Sequence, residues 1–236
     1  MSKLYLIPTT ISQDSLNTVL PSYSLEKIKN LKTFICENTK TARNHLKDIL
    51  KKPIQEAKFL EINKHKRLDK KEIFKLVNPL LKGNDVGLIT EAGCPGVADP
   101  GSEIILFCHQ NNINVVPLIG PSSILLALMA SGLNGQHFKF VGYLNKLPEK
   151  RKKDIKNIQE ESKKRNTTMI IMETPYRVEH LWKDLILNCK PETLITIAMD
   201  LTTQKEYIKT AKTKQWKDMK WPEFNKNQVI FLIQAS

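Results

Sequence analysis

The sequence predicts an α/β protein made of two α/β domains. In the first half, short apolar strands alternate with helical segments, and this alternation is typical of a largely parallel sheet covered by helices. After Leu187 the strands follow one another with little helix between them, which predicts a mixed sheet in the second half. A stretch containing two prolines and a glycine, 117–121, separates the halves. We therefore predict domains at 1–117 and 118–236.

The elements of the first half follow in order from its apolar runs. Predicted strands occupy 4–7, 33–36, 58–62, 86–90 and 114–119. Predicted helices occupy 25–31, 39–50, 71–81 and 102–110, the second of them capped by Asn38 or Thr39. Ligands of parallel sheets bind beyond the carboxyl ends of the strands. The loops after Ile7, Cys36 and Thr90 are therefore the expected functional loops.

The second half continues with an apolar helix at 122–131 that ends at Gly132. A polar, Lys-rich helix is predicted at 148–164, and another helix ends at Leu187. Predicted strands occupy 138–144, 168–173, 194–199, 207–210 and 228–233.

Composition limits the class of protein. The chain has 236 residues, 41% of them hydrophobic, which suffices for a sizeable core. It has no run of eighteen apolar residues, and the apolar run at 4–7 is too short for a signal peptide, so we expect a cytoplasmic protein without a membrane span. The four cysteines have neither CxxC nor zinc-site spacing, which predicts reduced thiols and no metal site.

The charge is strongly basic. Thirty-seven Lys and Arg against 24 Asp and Glu give a formal net charge of +13, which is compatible with a polyanionic partner such as RNA. An AT-rich genome, which also favours Lys, Asn and Ile, produces the same bias without any function. The Lys-rich run 146–164 has the same two interpretations, a solvated helix face or a surface along RNA.

The segment Glu91–Gly101 carries the strongest functional signal. It follows an apolar strand and precedes a helix, and its three glycines permit positive φ and close approach of the backbone to a ligand. Two prolines stiffen it, and Asp99 supplies a carboxylate within the loop. The segment lacks both the GxGxxG and the GxxxxGK[ST] pattern. A tight connection without a ligand is the alternative, but the length and rigidity of the loop favour binding.

Three shorter segments have a structural and a functional interpretation each. Ser122 and Ser123 open a helix whose free N–H groups can hold a ligand or are simply capped. Glu37 ends a strand, as a functional carboxylate or as a first-turn acid that suits the helix dipole. In the 172–177 segment, Arg177 can meet an anionic substrate and Tyr176 can stack on a base, or Thr174 merely caps a helix.

Together these segments resemble one family. TEAGCPGVADPG is similar to the SDAGTPxISDPG loop of the ribosomal RNA small subunit methyltransferase I family, within the tetrapyrrole-methylase superfamily. VVPLIGPSSILLALMASGL resembles VxPLPGPxAxxxALxxSGL, FVGYL resembles F-x-G-F-L, METPYR resembles YESPHR, and CENTK resembles AEDTR. The matches keep the same order and similar spacing over most of residues 4–200.

The resemblance implies two α/β domains with S-adenosylmethionine bound in a cleft between them, usually in a homodimer. The cofactor contacts that it implies are Pro8, Gly93, Pro95, Gly96, Val97, Ala98, Asp99, Ser122, Ser123, Tyr143, Met172, Ala198 and Met199. For the acceptor, the candidates are carboxylates at strand ends that can take a proton (Glu37, Glu91, Glu173) and side chains that can hold RNA (Arg43, Tyr176, Arg177).

Two departures leave the acceptor open. The family's ATPIGNL loop is here Ile7-Pro8-Thr9-Thr10-Ile11, without its glycine, and the family's HNE-like segment is here 63–66. The first hypothesis is methylation of ribosomal RNA, at a ribose 2′-hydroxyl of 16S rRNA, with the small ribosomal subunit as partner. The second is methylation of a small molecule such as a tetrapyrrole. The third is a non-catalytic RNA- or ribosome-binding protein on the same fold.

Overall fold

The computed structural model describes residues 2–12, 16–47, 49–50, 53–62, 68–225 and 227–236. The chain divides into two compact units, Met1–Ser122 and Ser123–Ser236. The loop 118–122 belongs to the first unit because the Leu118 amide donates to the Leu6 carbonyl at 3.0 Å, and Gly120 packs directly on Pro8. The segment 63–66, where the chain departs from the family's HNE-like segment, lies outside the described residues.

The first unit contains a five-stranded sheet. Its strands are β1 (Lys3–Ile7), β2 (Thr33–Cys36), β3 (Lys58–Glu61), β4 (Val86–Ile89) and β5 (Asn114–Pro117). Its helices are α1 (Leu16–Val19), α2 (Ser22–Lys29), α3 (Thr39–Leu46), α4 (Lys70–Leu81) and α5 (Ser102–Gln110), with a short 3₁₀ helix at Ile54–Glu56. The strand order is β3-β2-β4-β1-β5 and every pairing is parallel, which confirms the predicted parallel sheet.

Helices cover both faces of this sheet. Ile28 of α2 and Leu46 of α3 pack in one core cluster, while Val77 of α4 and Ile104 of α5 pack in the other. Alternate strand residues serve the two faces, since side chains of a strand alternate in direction. The connection after β1 runs towards β2, and the connection after β4 runs to the opposite side, towards β5. Neighbouring loops that diverge in this way leave a crevice at the carboxyl edge.

The second unit contains a mixed five-stranded sheet. Its strands are β6 (Phe138–Gly142), β7 (Thr168–Glu173), β8 (Leu194–Met199), β9 (Tyr207–Lys212) and β10 (Val229–Gln234). Its helices are α6 (Ser123–Ser131), α7 (Pro148–Arg165), α8 (Val178–Asn188) and α9 (Thr213–Asp218). The order is β6-β7-β10-β8-β9, with β6 and β7 parallel and the remaining pairs antiparallel, which confirms the prediction of a mixed sheet.

Some element ends differ from the sequence prediction for local reasons. The strand predicted to reach Leu144 ends at Gly142, because a φ of +77° at Gly142 is incompatible with an extended strand. Helix α9 lies between β9 and β10, where little helix was expected, and is anchored by buried Trp216, whose indole N–H donates to the Ile195 carbonyl at 2.9 Å. Asn38 caps α3, as predicted, by accepting from the Thr41 amide at 3.1 Å.

In the parts of the chain that the structure describes, none of the helices has the length and apolar character needed to cross a bilayer.

Candidate functional site

Three loops of the first unit meet at the carboxyl edge of its sheet. The Thr9 amide, just after β1, donates to the Gly93 carbonyl after β4 at 2.8 Å. The Cys94 thiol donates to the Pro121 carbonyl after β5 at 3.3 Å. A Cβ added to Gly120 would lie 2.4 Å from Cβ of Pro8, so these backbones approach as closely as they do only because residue 120 is glycine. The loops after β1, β4 and β5 therefore form one surface.

The glycines of the 91–101 loop adopt positive φ, as the sequence predicted. Gly93 and Gly96 both have a φ of +75°, and Ala98 also adopts a positive φ, of 61°. Pro95 and Gly93 are buried, while Val97 and Ala98 are exposed. Gly101 then caps α5 with a φ of 120°, where a Cβ would come within 2.8 Å of Leu88. The tip of the loop thus presents main chain and two small apolar side chains to its surroundings.

Two carboxylates share one hydroxyl at this edge. The Thr90 hydroxyl donates to Asp99 Oδ2 at 2.6 Å and lies 3.4 Å from Glu37 Oε1. They come together because β2 and β4 are neighbours, so that the residues after both strands lie side by side. A hydroxyl has a single proton, and the shorter distance shows that Asp99 receives it. Thr90 was not predicted as a site residue, although a hydroxyl at the end of an apolar strand was a usable signal.

Glu91 has a neighbour that the sequence did not indicate. The His45 ring of α3 is hydrogen-bonded to the main chain of Glu91. Burial lowers the pKa of His45, an effect that this hydrogen bond and the Glu91 carboxylate partly offset. His45 therefore stays neutral at physiological pH, with its ring fixed beside the first residue of the 91–101 loop.

The altered first loop contains two unusual hydroxyls. Thr9 and Thr10 are buried, and neither side-chain oxygen has a hydrogen-bond partner among the described residues. Leaving a buried hydroxyl unpaired costs about 1–3 kcal/mol. Both follow β1 and Pro8 at the same carboxyl edge.

In the second unit, Glu173 and Arg177 form an ion pair at the end of β7, in which Glu173 is buried and Arg177 is half-buried. Glu173 Oε2 lies 2.9 Å from an Arg177 nitrogen, and Glu173 Oε1 accepts from the Thr174 amide at 2.7 Å. The same Arg177 nitrogen donates to the Leu144 carbonyl at 3.1 Å. Arg177 thereby links the end of β7 to the loop after β6. Its other guanidinium N–H groups are the ones that could donate to a phosphate.

An open pocket of about 500 Å³ adjoins this pair. Two segments line it, one after β6 and one after β7: Tyr143, Leu144, Asn145, Lys146, Thr174 and Arg177. Tyr143 is 54% exposed, and Tyr176, which lies between two lining residues, is 79% exposed. Two sites predicted separately from sequence, Tyr143 and the 172–177 segment, thus border one pocket.

The other predicted residues of the second unit take different positions. Met172 and Ala198 both pair with Ile230 across the sheet, so the two residues share one face. Met199 points to the other face and is part of the buried core cluster. A ligand on the Met172 face can therefore reach Met199 only through its main chain.

The remaining candidates lie at helix ends or on the surface. Ser123 is the first residue of α6 and Ser122 directly precedes it, both half-buried. Arg43, on α3, is exposed, and its guanidinium lies 5.3 Å from the centre of the Phe59 ring. Among the described residues, no cluster of three or more His, Cys, Asp and Glu side chains could hold a metal ion.

Comparison with known proteins identifies the family to which this chain belongs. The family model described as tetrapyrrole (corrin/porphyrin) methylases matches residues 20–216. The chain belongs to the tetrapyrrole methylase family. It is a methyltransferase that uses S-adenosylmethionine.

Individual relatives agree with this assignment. The tetrapyrrole methylase is 30% identical over 235 residues to a ribosomal RNA small subunit methyltransferase I of Buchnera aphidicola, covering 98% of this chain and 78% of the relative. A protein of the same name from Synechocystis is 28% identical over 206 residues, 87% of this chain and 69% of the relative. The solved structure of the methyltransferase CobJ has the same fold, with a TM-score of 0.61 and 14% identity over 100% of this chain and 94% of that one.

The first-unit edge suits such a cofactor. S-adenosylmethionine carries amino, carboxylate, hydroxyl and adenine groups, which need hydrogen-bonding partners when they leave water. Two buried hydroxyls without hydrogen-bond partners among the described residues, those of Thr9 and Thr10, lie at this edge. The positive-φ residues of the 91–101 loop let main-chain groups approach a ligand without a side chain intervening.

Cysteine reactivity offers a direct probe of this loop. Burial raises the pKa of Cys36 and Cys108 to about 11 and that of Cys189 to about 12, whereas Cys94 is only half-buried. We expect iodoacetamide at pH 8 to alkylate Cys94 first, because the thiolate is the nucleophile and the other three thiols are buried. Saturating S-adenosylmethionine should slow this reaction several-fold. Peptide mass spectrometry over time measures both rates, and modification of the other three at the rate of Cys94 would contradict the packing described here.

Proposed function

We propose that this methyltransferase acts on ribosomal RNA of the small subunit, at a ribose 2′-hydroxyl of 16S rRNA. The observation that carries the proposal is the similarity over 98% of the chain to a protein named ribosomal RNA small subunit methyltransferase I. The net charge of +13 supports a polyanionic acceptor. The proposal includes the small ribosomal subunit as partner, a homodimeric state and a cytoplasmic location.

The proposed cofactor contacts lie in both units. In the first unit we propose Pro8 and the loop residues Gly93, Pro95, Gly96, Val97, Ala98 and Asp99, with Ser122 at the end of the unit. In the second unit we propose Ser123, Tyr143, Met172, Ala198 and the main chain at Met199. The close packing of Pro8, Gly93 and Gly120 supports the first set, since these loops already share one surface.

Among the carboxylates, Glu37 is the best candidate to accept the proton of the acceptor hydroxyl. Bound S-adenosylmethionine would supply a methyl group attached to a positively charged sulfur. After transfer of the methyl group, the sulfur is a neutral thioether. The chain must hold the hydroxyl in line and take its proton. Glu37 lies at the carboxyl edge of the first unit's sheet, where its Oε1 is 3.4 Å from the Thr90 hydroxyl. Glu173 already forms an ion pair with Arg177 and accepts a hydrogen bond from the Thr174 amide.

The test is labelled methyl transfer to small ribosomal subunits from cells that lack this gene, followed by mapping of the label. We expect incorporation at one ribose of 16S rRNA, and Glu37→Gln should lower the rate about 10²-fold or more without weakening cofactor binding. Glu26→Gln, at an exposed position on α2, is the matched control and should leave the rate unchanged.

The same assay separates the alternatives. Label in a porphyrin-like carboxylic acid, with none in RNA, would establish methylation of a small molecule. Absence of both cofactor binding and methyl transfer would indicate a non-catalytic RNA- or ribosome-binding protein.

A further inference from the structure

The open pocket beside Arg177 continues onto a basic helix face. Lys146 lines the pocket, and α7 begins two residues later at Pro148. The first half of α7 exposes Lys150, Lys152, Lys153 and Lys156. At 1.5 Å per residue, the cations from Lys150 to Lys156 extend about 9 Å along the helix. We call the pocket and the exposed start of the helix that follows it the β6–α7 surface (Leu144–Lys146, Thr174–Arg177 and the exposed lysines of 150–156).

The lysines of residues 146–156 outnumber the two carboxylates of that stretch, Glu149 and Asp154. In the described part of the chain, Lys146, Lys150 and Lys153 make no ion pair, whereas Lys139, Lys183 and Lys212 elsewhere in the unit each contact a carboxylate. Exposed lysines without partners attract phosphates. S-adenosylmethionine carries a sulfonium and an ammonium against one carboxylate, so such a surface favours a polyanion over the methyl donor.

Tyr176 gives this surface a stacking element. Its side chain is 79% exposed, and it stands in the chain between Thr174 and Arg177, which line the pocket. Exposed aromatic rings beside cations are the arrangement by which proteins bind unpaired bases. An exposed tyrosine ring can stack on such a base.

Two arginines hold the main chain of the loop 144–146 in place. Arg177 donates to the Leu144 carbonyl at 3.1 Å, and Arg151 donates to the Lys146 carbonyl at 3.0 Å. Each arginine is itself held by a carboxylate, Glu173 at 2.9 Å and Asp184 at 2.6 Å. Fixing the main chain in this way lowers the ordering cost of binding through Lys146.

We propose that the β6–α7 surface binds an unpaired segment of the RNA acceptor, with a base stacked on Tyr176 and phosphates on Lys146, Lys150 and Lys153. The inference rests on the proposed function, because it names the surface that holds the substrate of that reaction. It assigns substrate binding to Lys146, Lys150 and Lys153. It also places the base that stacks on Tyr176 next to the phosphates that these lysines bind.

Fluorescence anisotropy with a labelled single-stranded RNA of about 12 nucleotides tests the surface directly. We expect Tyr176→Ala to weaken binding roughly 5- to 100-fold. The double variant Lys150→Gln/Lys153→Gln should weaken it and reduce the salt slope of log Kd by about 1.4, or about 0.7 for each phosphate that is no longer neutralised. Calorimetry should give the wild-type Kd for S-adenosylmethionine in both variants.

Matched controls lie away from this surface. Tyr23→Ala removes a 56% exposed tyrosine of the first unit, and Lys190→Gln removes an exposed lysine just before β8. Because β8 runs parallel to β7, the start of β8 lies at the opposite edge of the sheet from the pocket. Both controls should bind RNA as the wild type does.

Three results would overturn the inference: no binding of single-stranded RNA by the wild type, equally weakened binding in variants and controls, or weaker binding of the methyl donor in the variants. The last result would assign the pocket to the cofactor instead. Failure of the proposed function gives a different result. In that case the wild type binds RNA and the variants bind it more weakly, but no methyl group is transferred to the RNA. If both hold, Tyr176→Ala raises KM for the ribosomal subunit and leaves kcat unchanged.

Discussion

Gly120→Ala is expected to lower the affinity for S-adenosylmethionine at least tenfold and to destabilise the first unit by about 1–3 kcal/mol. The added Cβ would lie 2.4 Å from Cβ and 2.6 Å from Cγ of Pro8, and 3.0 Å from a methyl carbon of Leu20. Proline is held by its ring, so the loops after β1 and β5 would have to separate. Their separation would also disturb the Thr9–Gly93 hydrogen bond that joins the loop after β1 to the 91–101 loop.

Isothermal calorimetry measures the affinity, and urea unfolding measures the stability. Gly135→Ala is the matched control, because a Cβ at Gly135 meets no atom within 4 Å and its φ lies outside the positive range. That control should change neither quantity. Wild-type affinity in Gly120→Ala would show that cofactor binding does not need the close approach of the two loops.

The second large effect concerns the ion pair of the second unit in which Glu173 is buried. Arg177→Met should destabilise the protein by about 3–5 kcal/mol, because it leaves the Glu173 carboxylate buried without its partner. It also removes the donor to the Leu144 carbonyl. Adding Glu173→Gln should recover part of this stability, since a neutral amide tolerates burial better than an unpaired charge.

Lys183→Met provides the comparison for this prediction. Lys183 and Glu179 form an ion pair of the same sequence spacing at 2.7 Å, but their side chains are 51% and 64% exposed. Exposed pairs contribute about 0.2–1 kcal/mol, so this substitution should be nearly silent in urea unfolding. If Arg177→Met costs no more than Lys183→Met, Glu173 is not held by the ion pair as described.

Both predictions depend on contacts that sequence reasoning did not supply. The glycine of the Gly120-Pro121 pair was recognisable as part of a motif, yet only the fold showed that Pro8 is the group that requires it. Arg177 was interpreted as a substrate contact, and its pairing with buried Glu173 became visible only when both lay at one strand end. Thr90 was missed, because a single threonine after an apolar strand has no sequence pattern of its own.

Residue patterns alone were sufficient for most of the local elements and for the family. Strand and helix positions follow from residue periodicity, and the glycines of the 91–101 loop predicted the positive φ that Gly93 and Gly96 adopt. Which loops meet depends instead on the arrangement of the strands in space. Thr90 lies beside Glu37, 53 residues earlier, because β4 inserts next to β2, and Arg177 reaches Leu144, 33 residues earlier, because β6 and β7 are paired. Strand order depends on how whole sheet faces are buried, and no local periodicity encodes it.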